Sequence, residues 1–476
     1  MLFKSIGELI PLYALYALLF ADHGMSTGQI SLLFAIWSAT SFLLEVPSGA
    51  WADTVSRRGL LVLSGALLTA GFALWTAAPS FAGFAAGFVL WGTSGALASG
   101  TFEALLYDDL AARGESSAYP RLLGYTRAGA EAAVVIAIVA ATPLYLYGGY
   151  ALVGWSSVAV AAVHTLIALS LPTAPKAVSA ADIDDLEEEE PTSAARDASP
   201  AGDPAVGNVA SLPGFAGDAA QLGRVPGVDG RGRVSVSGGR EPAPAATEGF
   251  PATLEQTGQK DDAAQSRPFP RYLTMLKAGV GEAVRVRVVR YGVLLEALLF
   301  GITAFDEYFA LLAEESGVST AVVPLLVGLT VLGSLTGSVL AGRTEGMSGR
   351  TMSIAVGVAG VLFLGGALIA GLATGRPNAI YLLTGLGFAS IGVSYGIVYN
   401  AGIVAGARLQ DAIEGPARAT VTSVSGLLGE VIALAVFGFA ALITLWSSMA
   451  TLLALLGASI LALSTLAPRW LPPRAN

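Results

Sequence analysis

The chain has 476 residues, of which 54% are hydrophobic and only 13% charged, and its mean hydropathy is +0.66. Soluble domains carry about 25% charged residues, so this composition excludes an ordinary soluble protein and indicates a polytopic membrane protein. The chain has no cysteine, which excludes disulfides and cysteine-based metal sites, and its two histidines, His23 and His164, lie too far apart in the sequence to suggest a metal centre.

Twelve apolar runs follow one another along the chain, and each is long enough to cross a bilayer as a helix. The first six lie at roughly 3–21, 28–51, 60–78, 81–107, 120–147 and 150–171. The second six lie at roughly 288–313, 318–341, 351–374, 378–405, 418–443 and 446–467. We expect the first run to be a span and not a cleaved signal peptide, because no small-residue cleavage site follows it. The sequence therefore predicts an all-α membrane protein with twelve spans in two six-helix bundles, 1–172 and 288–476.

A long polar segment joins the two predicted bundles. Residues 173–269 contain an acidic run and are otherwise rich in Gly, Ala and Pro, with few large apolar residues, so we predict a disordered cytoplasmic linker. This linker accounts for many of the acidic residues behind the formal net charge of −9. An acidic linker of this kind is commonly solvated, and a partner-binding role is the alternative. Residues 270–287 combine an apolar face with basic residues, which predicts an amphipathic helix on the cytoplasmic membrane surface.

The basic residues predict the orientation of the chain. They gather at the N-terminus, at the C-terminus and in the loops that follow even-numbered spans; among them are Lys4, Arg57, Arg58, Arg113, Arg121, Arg343, Arg350, Arg408, Arg469 and Arg474. The positive-inside rule then places both termini in the cytoplasm and the protein in the cell membrane.

The loop between spans 2 and 3 carries the most specific motif, "GAWADTVSRRG". Gly49, Asp53, Arg57 and Arg58 match position by position the loop G-x-x-x-D-x-x-x-R-R/K of the major facilitator superfamily, which the chain resembles everywhere except in the linker. The resemblance implies two bundles around a central cavity that opens alternately to the two sides of the membrane. It also implies a bacterial, drug-efflux-like branch. We expect a small-molecule substrate, the lipid bilayer as a partner, no nucleic acid and a monomeric state.

In the family this loop works as a latch that holds the two halves together on the inside. Asp53 can face the N-terminus of span 11 near Arg418, where the helix dipole favours a carboxylate. Arg57 or Arg58 can reach the carboxylates at the inner end of span 4, which belong to Asp108 and Asp109. The alternative is that the two arginines only fix the topology.

Charged residues inside the membrane are functional candidates by default, because each is costly to insert. Glu131 in span 5 and Glu430 in span 11 lie nearest to mid-span. Arg127 is four residues before Glu131, so this pair is either a static ion pair or a proton relay. Glu430 has no charged neighbour on its own helix, and a carboxyl group in such a setting can exchange a proton at neutral pH. Further candidates for proton coupling, with structural roles as the alternative, are Glu103 and Glu296 near the inner surface and Asp306 towards the outer end of span 7.

Aromatic side chains are candidates for lining the cavity, because the resemblance implies walls made by spans 1, 4, 7 and 10. These candidates are Tyr13, Tyr16, Phe102, Phe305, Tyr395 and Tyr399, with Asn400 beside the last. Aromatic walls suit amphipathic or cationic cargo through apolar burial and cation–π attraction. Packing in helix contacts is the alternative for each.

The sequence favours a secondary transporter without cofactors, driven by a proton gradient and exporting lipophilic or cationic compounds. No phosphate-binding loop for ATP is present, and no catalytic constellation indicates an enzyme. Span 5 lacks the G-P-x-x-G-G-like motif of family drug:proton antiporters, so uptake or facilitated diffusion stays open. A non-transporting sensor or scaffold, with the linker as its effector surface, is the third possibility.

Overall fold

The structure is a computed structural model that describes residues 1–173, 281, 284–413 and 418–474. Within these ranges only the backbone is described at residues 46, 49, 50, 53, 54, 120 and 418–420. The predicted disordered linker (173–269) and the predicted amphipathic helix (270–287) lie outside the described residues, apart from residues 173, 281 and 284–287.

All regular elements of the described residues are helices, and ten of these helices are long and apolar enough to cross a membrane. One of the ten, Ser116–Leu169, has 54 residues and contains two spans, because its backbone leaves helical geometry at Gly149 (φ 59°, ψ −157°). A shorter apolar helix, Met449–Leu463, completes the set. The prediction of an all-α protein with twelve spans is therefore confirmed.

We label the spans α1 to α12 in chain order. The first half contains α1 (Leu2–Asp22), α2 (Thr27–Thr54), α3 (Arg57–Ala77), α4 (Phe81–Ala112) and the bent helix Tyr119–Leu169, whose parts before and after Gly149 are α5 and α6. The second half contains α7 (Arg287–Glu315), α8 (Val323–Thr344), α9 (Gly349–Gly371), α10 (Ile380–Ala412), α11 (Arg418–Ile443) and α12 (Met449–Leu463). The turns after odd-numbered spans share one side of the bundle, which we call the outer face after the predicted orientation.

Serine side chains begin five of these helices. In each case the hydroxyl accepts a hydrogen bond from the backbone N–H three residues further on, which satisfies a donor that the first helical turn leaves free. The five serines are Ser26, Ser56, Ser80, Ser348 and Ser448. These caps place the helix starts within three residues of the predicted apolar runs.

Three spans are interrupted inside the membrane region. In α1 the chain passes through a short 3₁₀ turn, Pro11–Ala14, and the Ser157 hydroxyl of α6 accepts a hydrogen bond from the Leu12 N–H at 3.0 Å. In α4 the break lies at Gly100, which has a left-handed φ of 68°. In α7 the residues Ile302–Tyr308 form a 3₁₀ stretch. Interrupted helices in transporters occur where the backbone lines a cavity or binds a neighbour. Of these three spans, α7 is the one that lines the cavity described below.

Glycines bring α8 and α10 into backbone contact. A Cβ atom added at Gly333 would lie within 2 Å of the Gly392 carbonyl oxygen, and one added at Gly337 would lie 2.0 Å from the Gly396 oxygen. Small residues at such positions allow membrane helices to approach closely and pack by van der Waals contact.

We expect the Gly333→Val variant to unfold at a markedly lower temperature in detergent than the wild type. Its side chain has no space against α10, and overpacking of this kind costs about 1–3 kcal/mol or more. Gly342→Val is the matched control on the same helix, because a Cβ atom there meets nothing within 4 Å. Equal loss of stability in both variants would contradict this account of the α8–α10 contact.

Candidate functional site

A cavity of about 430 Å³ lies between the two halves. Its walls come from α2 of the first half and from α7 and α11 of the second. Side chains that line it are Trp37, Ser38, Ser41, Glu296, Phe300, Thr303, Asp306, Glu307, Ser425, Glu430 and Phe437, with Ala and Gly residues between them. Its volume is in the range of small-molecule binding sites.

Two of the cavity carboxylates are held by serines. The Ser38 hydroxyl of α2 donates to Glu430 Oε2 at 2.5 Å, a bond that crosses between the halves. The Ser425 hydroxyl of α11 donates to Glu296 Oε2 at 2.6 Å. Glu296 also lies against α10, because a Cβ atom at Gly406 would be 2.6 Å from its Oε1. Each glutamate is thus oriented by a neighbouring helix.

Three consecutive residues of the 3₁₀ stretch in α7, 306–308, form hydrogen bonds with three different helices. The Tyr395 hydroxyl of α10 donates to Asp306 Oδ2 at 2.7 Å, and the Tyr16 hydroxyl of α1 donates to Glu307 Oε2. Tyr308 and Ser31 of α2 share a hydrogen bond of 2.8 Å between their hydroxyl oxygens. The bonds of Glu307 and Tyr308 both join the two halves.

The four carboxyl groups face the cavity without a basic side chain among its lining residues. All four are partly exposed, and together they make the lining of the cavity acidic, so its potential favours cations over anions. Among the described residues, no three His, Asp or Glu side chains come together closely enough to hold a metal ion.

The cavity is roomy because α11 presents small residues to it. Ser425, Gly426, Gly429 and Ala433 line it, and a Cβ atom added at Gly426 would meet nothing within 4 Å. Three aromatic side chains also line the cavity: Trp37, Phe300 and Phe437. Trp37 stacks on Trp91, with 5.0 Å between the ring centroids.

Contacts between the halves close the outer end of the molecule. The Thr142 hydroxyl near the outer end of α5 donates to the Ala321 carbonyl before α8 at 2.9 Å. Phe34 of α2 packs on Phe437 of α11 and on Tyr308 of α7, with ring centroids 5.6 Å and 5.8 Å apart. Together with the hydrogen bonds of Glu307 and Tyr308, these contacts separate the cavity from the outer face.

The structure describes part of the predicted latch. Arg57 forms an ion pair with Asp108, in which both side chains are largely buried, and Arg57 Nη1 also donates to the Ala104 carbonyl at 3.4 Å. This pair joins α3 to α4 inside the first half. Arg58 instead donates to the Leu169 carbonyl of α6, and Asp109 pairs with Arg113 at 2.9 Å. Gly49 and Asp53 lie in α2 and Arg418 begins α11, but their side chains lie outside the described part, so the predicted bond between the halves stays a prediction.

We expect Arg57→Ala to lower the free energy of unfolding by about 1.5–3 kcal/mol, because it removes a charged hydrogen-bond donor from the buried Asp108 carboxylate. Thermal unfolding in detergent measures the loss. Exchanging the two residues, in the double variant Arg57→Asp and Asp108→Arg, should recover part of it. If the exchange recovers no stability and Arg58→Ala is as unstable as Arg57→Ala, the ion pair is not the cause of the lost stability.

Three of the residues predicted to couple transport to protons line the cavity, and the other three do not. Glu430, Glu296 and Asp306 all line the cavity. Glu103 instead forms an ion pair with Lys4 of α1 at 3.3 Å. In the part of the chain that the structure describes, Glu131 and Arg127 are exposed side chains of α5 and form no ion pair with each other.

None of the seven side chains proposed for the cavity wall is among the residues that line this cavity. Tyr16 and Tyr395 reach it only through their bonds to Glu307 and Asp306. The others pack as follows: Tyr13 on Trp91, Phe102 on Phe3, Phe305 on Phe363, Tyr399 against Phe300, and Asn400 against the Gly337 carbonyl. The walls come from α2, α7 and α11, whereas spans 1, 4, 7 and 10 were expected.

Comparisons with known proteins agree with this architecture. The sequence model of the Major Facilitator Superfamily matches residues 2–430. No curated protein sequence matches the chain significantly.

Three solved structures illustrate the likeness in fold. A mutant form of the nucleoside transporter NupG is 10% identical, covers 98% of both chains and has a TM-score of 0.63. A D-xylose-proton symporter is 12% identical, with 99% of this chain and 97% of the other covered and a TM-score of 0.56. A bacterial homolog to the human lysosomal transporter Spinster, in an inward-facing and occupied conformation, is 12% identical, with 98% and 91% covered and a TM-score of 0.57. At these identities the likeness concerns the fold alone.

Proposed function

This chain belongs to the Major Facilitator Superfamily, and we propose that it is a secondary transporter that exchanges protons for a small organic cation. The multi-pass helical fold and the family membership make it a membrane transporter and not an enzyme. The nature of the cargo, the coupling to protons and the direction of transport are our proposal.

One observation supports the proposal most strongly: the cavity holds four carboxyl groups and no basic residue among its lining side chains. In this proposal, protons bound by the cavity balance its charge while no cargo is present. An organic cation balances the same charge when it binds, and it releases protons as it does so. Binding of cargo and binding of protons are then mutually exclusive, which is the requirement for exchange.

In the second half of the transport cycle, the outer end of the cavity opens. Opening towards the outer face must break the bond between Tyr16 and Glu307 and the bond between Tyr308 and Ser31. Water then reaches the cavity carboxylates, protons enter from outside, and the cation leaves. With the orientation that the charges predict, this cycle exports the cation and imports protons across the cell membrane.

A second candidate is proton-coupled uptake of a polyhydroxylated solute. The cavity presents four hydroxyl groups, on Ser38, Ser41, Thr303 and Ser425, and the ring of Trp37 offers an apolar face. Hydroxyl and carboxylate groups of this kind can hydrogen-bond a neutral polar cargo. In this case the solute and the protons bind together and move in the same direction.

Filling the cavity tests whether it is the transport route. We expect Gly426→Leu, which extends a side chain into the cavity, to reduce transport of organic cations or polar solutes by about fivefold to a hundredfold, which corresponds to a loss of about 1–3 kcal/mol in cargo binding. Gly438→Leu is the matched control on the same helix, because its Cβ atom also meets nothing within 4 Å but does not face the cavity. Equal transport in the two variants would show that cargo passes elsewhere.

A further inference from the structure

The spacing of the cavity carboxylates along α7 and α11 carries information about the shape of the cargo. We propose that the preferred cargo is a linear cation with two or more ammonium groups separated by an alkyl chain of about four to six methylene groups. This inference rests on the proposed function, since it specifies which organic cation the cavity selects.

The carboxylates form three successive levels. Glu296 is bonded to Ser425, and Glu430 lies five residues further along α11, which is about 7–8 Å along the helix axis. Gly301 of α7 packs against Gly429, since a Cβ atom there would be 2.6 Å from the Gly429 carbonyl oxygen, so Gly301 marks the level of Glu430 on α7. Asp306 lies five residues beyond Gly301 in the 3₁₀ stretch, about 8–10 Å further out.

The surface between these levels is mainly apolar, with the hydroxyl groups of Thr303, Ser38 and Ser41 beside it. On α7 the residues between Glu296 and Asp306 that line the cavity include Ala297, Phe300 and Ala304, and on α11 Ala433 follows Glu430. Acidic and apolar surfaces therefore alternate along one line. This alternation is complementary to a chain in which ammonium groups alternate with methylene segments.

The lengths agree with a short alkyl spacer. An extended chain advances about 1.2 Å per bond, so the five to seven bonds between ammonium nitrogens in such diamines cover about 6–8 Å. That span equals the separation of the Glu296 and Glu430 levels. The serine hydroxyl donates to Oε2 of each glutamate, and a carboxylate oxygen has a second lone pair, so the same oxygen can also accept from an ammonium group in the cavity.

Other cargo uses this cavity less well. A cation with a single charge pairs with one level and leaves the carboxyl groups of the other levels without a partner. An anion is repelled at every level. A divalent metal ion needs several ligands around one point, and the described carboxylates are spread out instead of gathered.

The test compares 1,6-diaminohexane with hexylamine, which has the same chain and one charge. Binding to the purified full-length protein in detergent is measured by calorimetry at neutral pH, beside a quaternary ammonium reporter of the proposed function. We expect the diamine to bind about tenfold more tightly than the monoamine, a difference of about 1.4 kcal/mol. In Glu296→Gln this ratio should fall to about one, whereas Glu115→Gln, which changes an exposed carboxyl group in the turn before α5, should leave it unchanged.

The outcomes separate the two proposals. Tight diamine binding that loses its advantage in Glu296→Gln supports the linear polycation. If hexylamine and the quaternary reporter bind as tightly as the diamine, or the ratio survives in Glu296→Gln, the linear polycation is ruled out and cation transport stands. If no organic cation binds at all, the proposed function itself is overturned.

Discussion

Replacing Glu430 by glutamine is expected to reduce the number of protons released when a cation binds, and to reduce proton-driven transport by at least about tenfold. The amide has nearly the same shape and can still accept the hydrogen bond from Ser38, so the fold and the contact between α2 and α11 should persist. What is lost is the charge, and a charge-assisted contact of this kind is worth about 1.5–3 kcal/mol. Transport in inside-out membrane vesicles with a pH-sensitive dye measures the effect.

The control is Glu131→Gln in α5, the equivalent helix of the first half. Glu131 is exposed and does not line the cavity, so its variant should keep proton-coupled transport close to the wild-type rate. Glu430→Asp should keep part of the activity, because it restores the charge on a shorter side chain. Normal coupling in Glu430→Gln, combined with its loss in Glu131→Gln, would move the coupling site to the first half.

Tyr16→Phe is expected to shift the protein towards a state that is open at the outer face. The variant removes the hydroxyl that bonds Glu307 across the two halves, and the carboxylate then gains more from contact with water than from the closed state. Loss of a hydrogen bond to a charged group, worth about 1.5–3 kcal/mol, corresponds to an increase of about tenfold or more in the population of the open state.

The absence of cysteine from the sequence makes this shift easy to measure. A single cysteine at Ala304, a residue that lines the cavity, can be labelled from outside with a membrane-impermeant thiol reagent. Labelling should accelerate in Tyr16→Phe and stay unchanged in Tyr13→Phe, whose ring stacks on Trp91 within the first half. Equal acceleration in both variants would indicate a general loosening of α1, and no acceleration in either would show that Tyr16 does not hold the outer end closed.

Much of the architecture could be predicted because the membrane imposes simple rules on a sequence. Apolar run length alone predicts the spans, and serine caps account for the small differences at their starts. The cost of placing charge in lipid also directs attention to Glu296, Asp306 and Glu430, which all line the cavity. These inferences need only local sequence, because each depends on how one residue or one segment interacts with the bilayer.

The rest depends on contacts between distant segments. Nothing in the sequence around Ser38 or Trp37 indicates that α2 turns this face to α7 and α11, and the bond between Tyr16 and Glu307 joins residues 291 positions apart. The 3₁₀ stretch of α7 has no proline or glycine inside it to announce it. The aromatic candidates of α1, α4 and α10 were predicted to line the cavity from the resemblance to the family. In the structure they pack against neighbouring rings and are not among the lining residues.

The proposed function depends on one cavity that exchanges protons for an organic cation. The most direct test uses wild-type protein in liposomes that contain a pH-sensitive dye, with a gradient of mono- or bis-quaternary ammonium salts, which carry no exchangeable proton. We predict that cation movement drives protons in the opposite direction, and that both movements are at least about tenfold slower in liposomes with Glu430→Gln. Cation transport without any change of pH, or a polar neutral solute as the only cargo that moves protons, would contradict the claim.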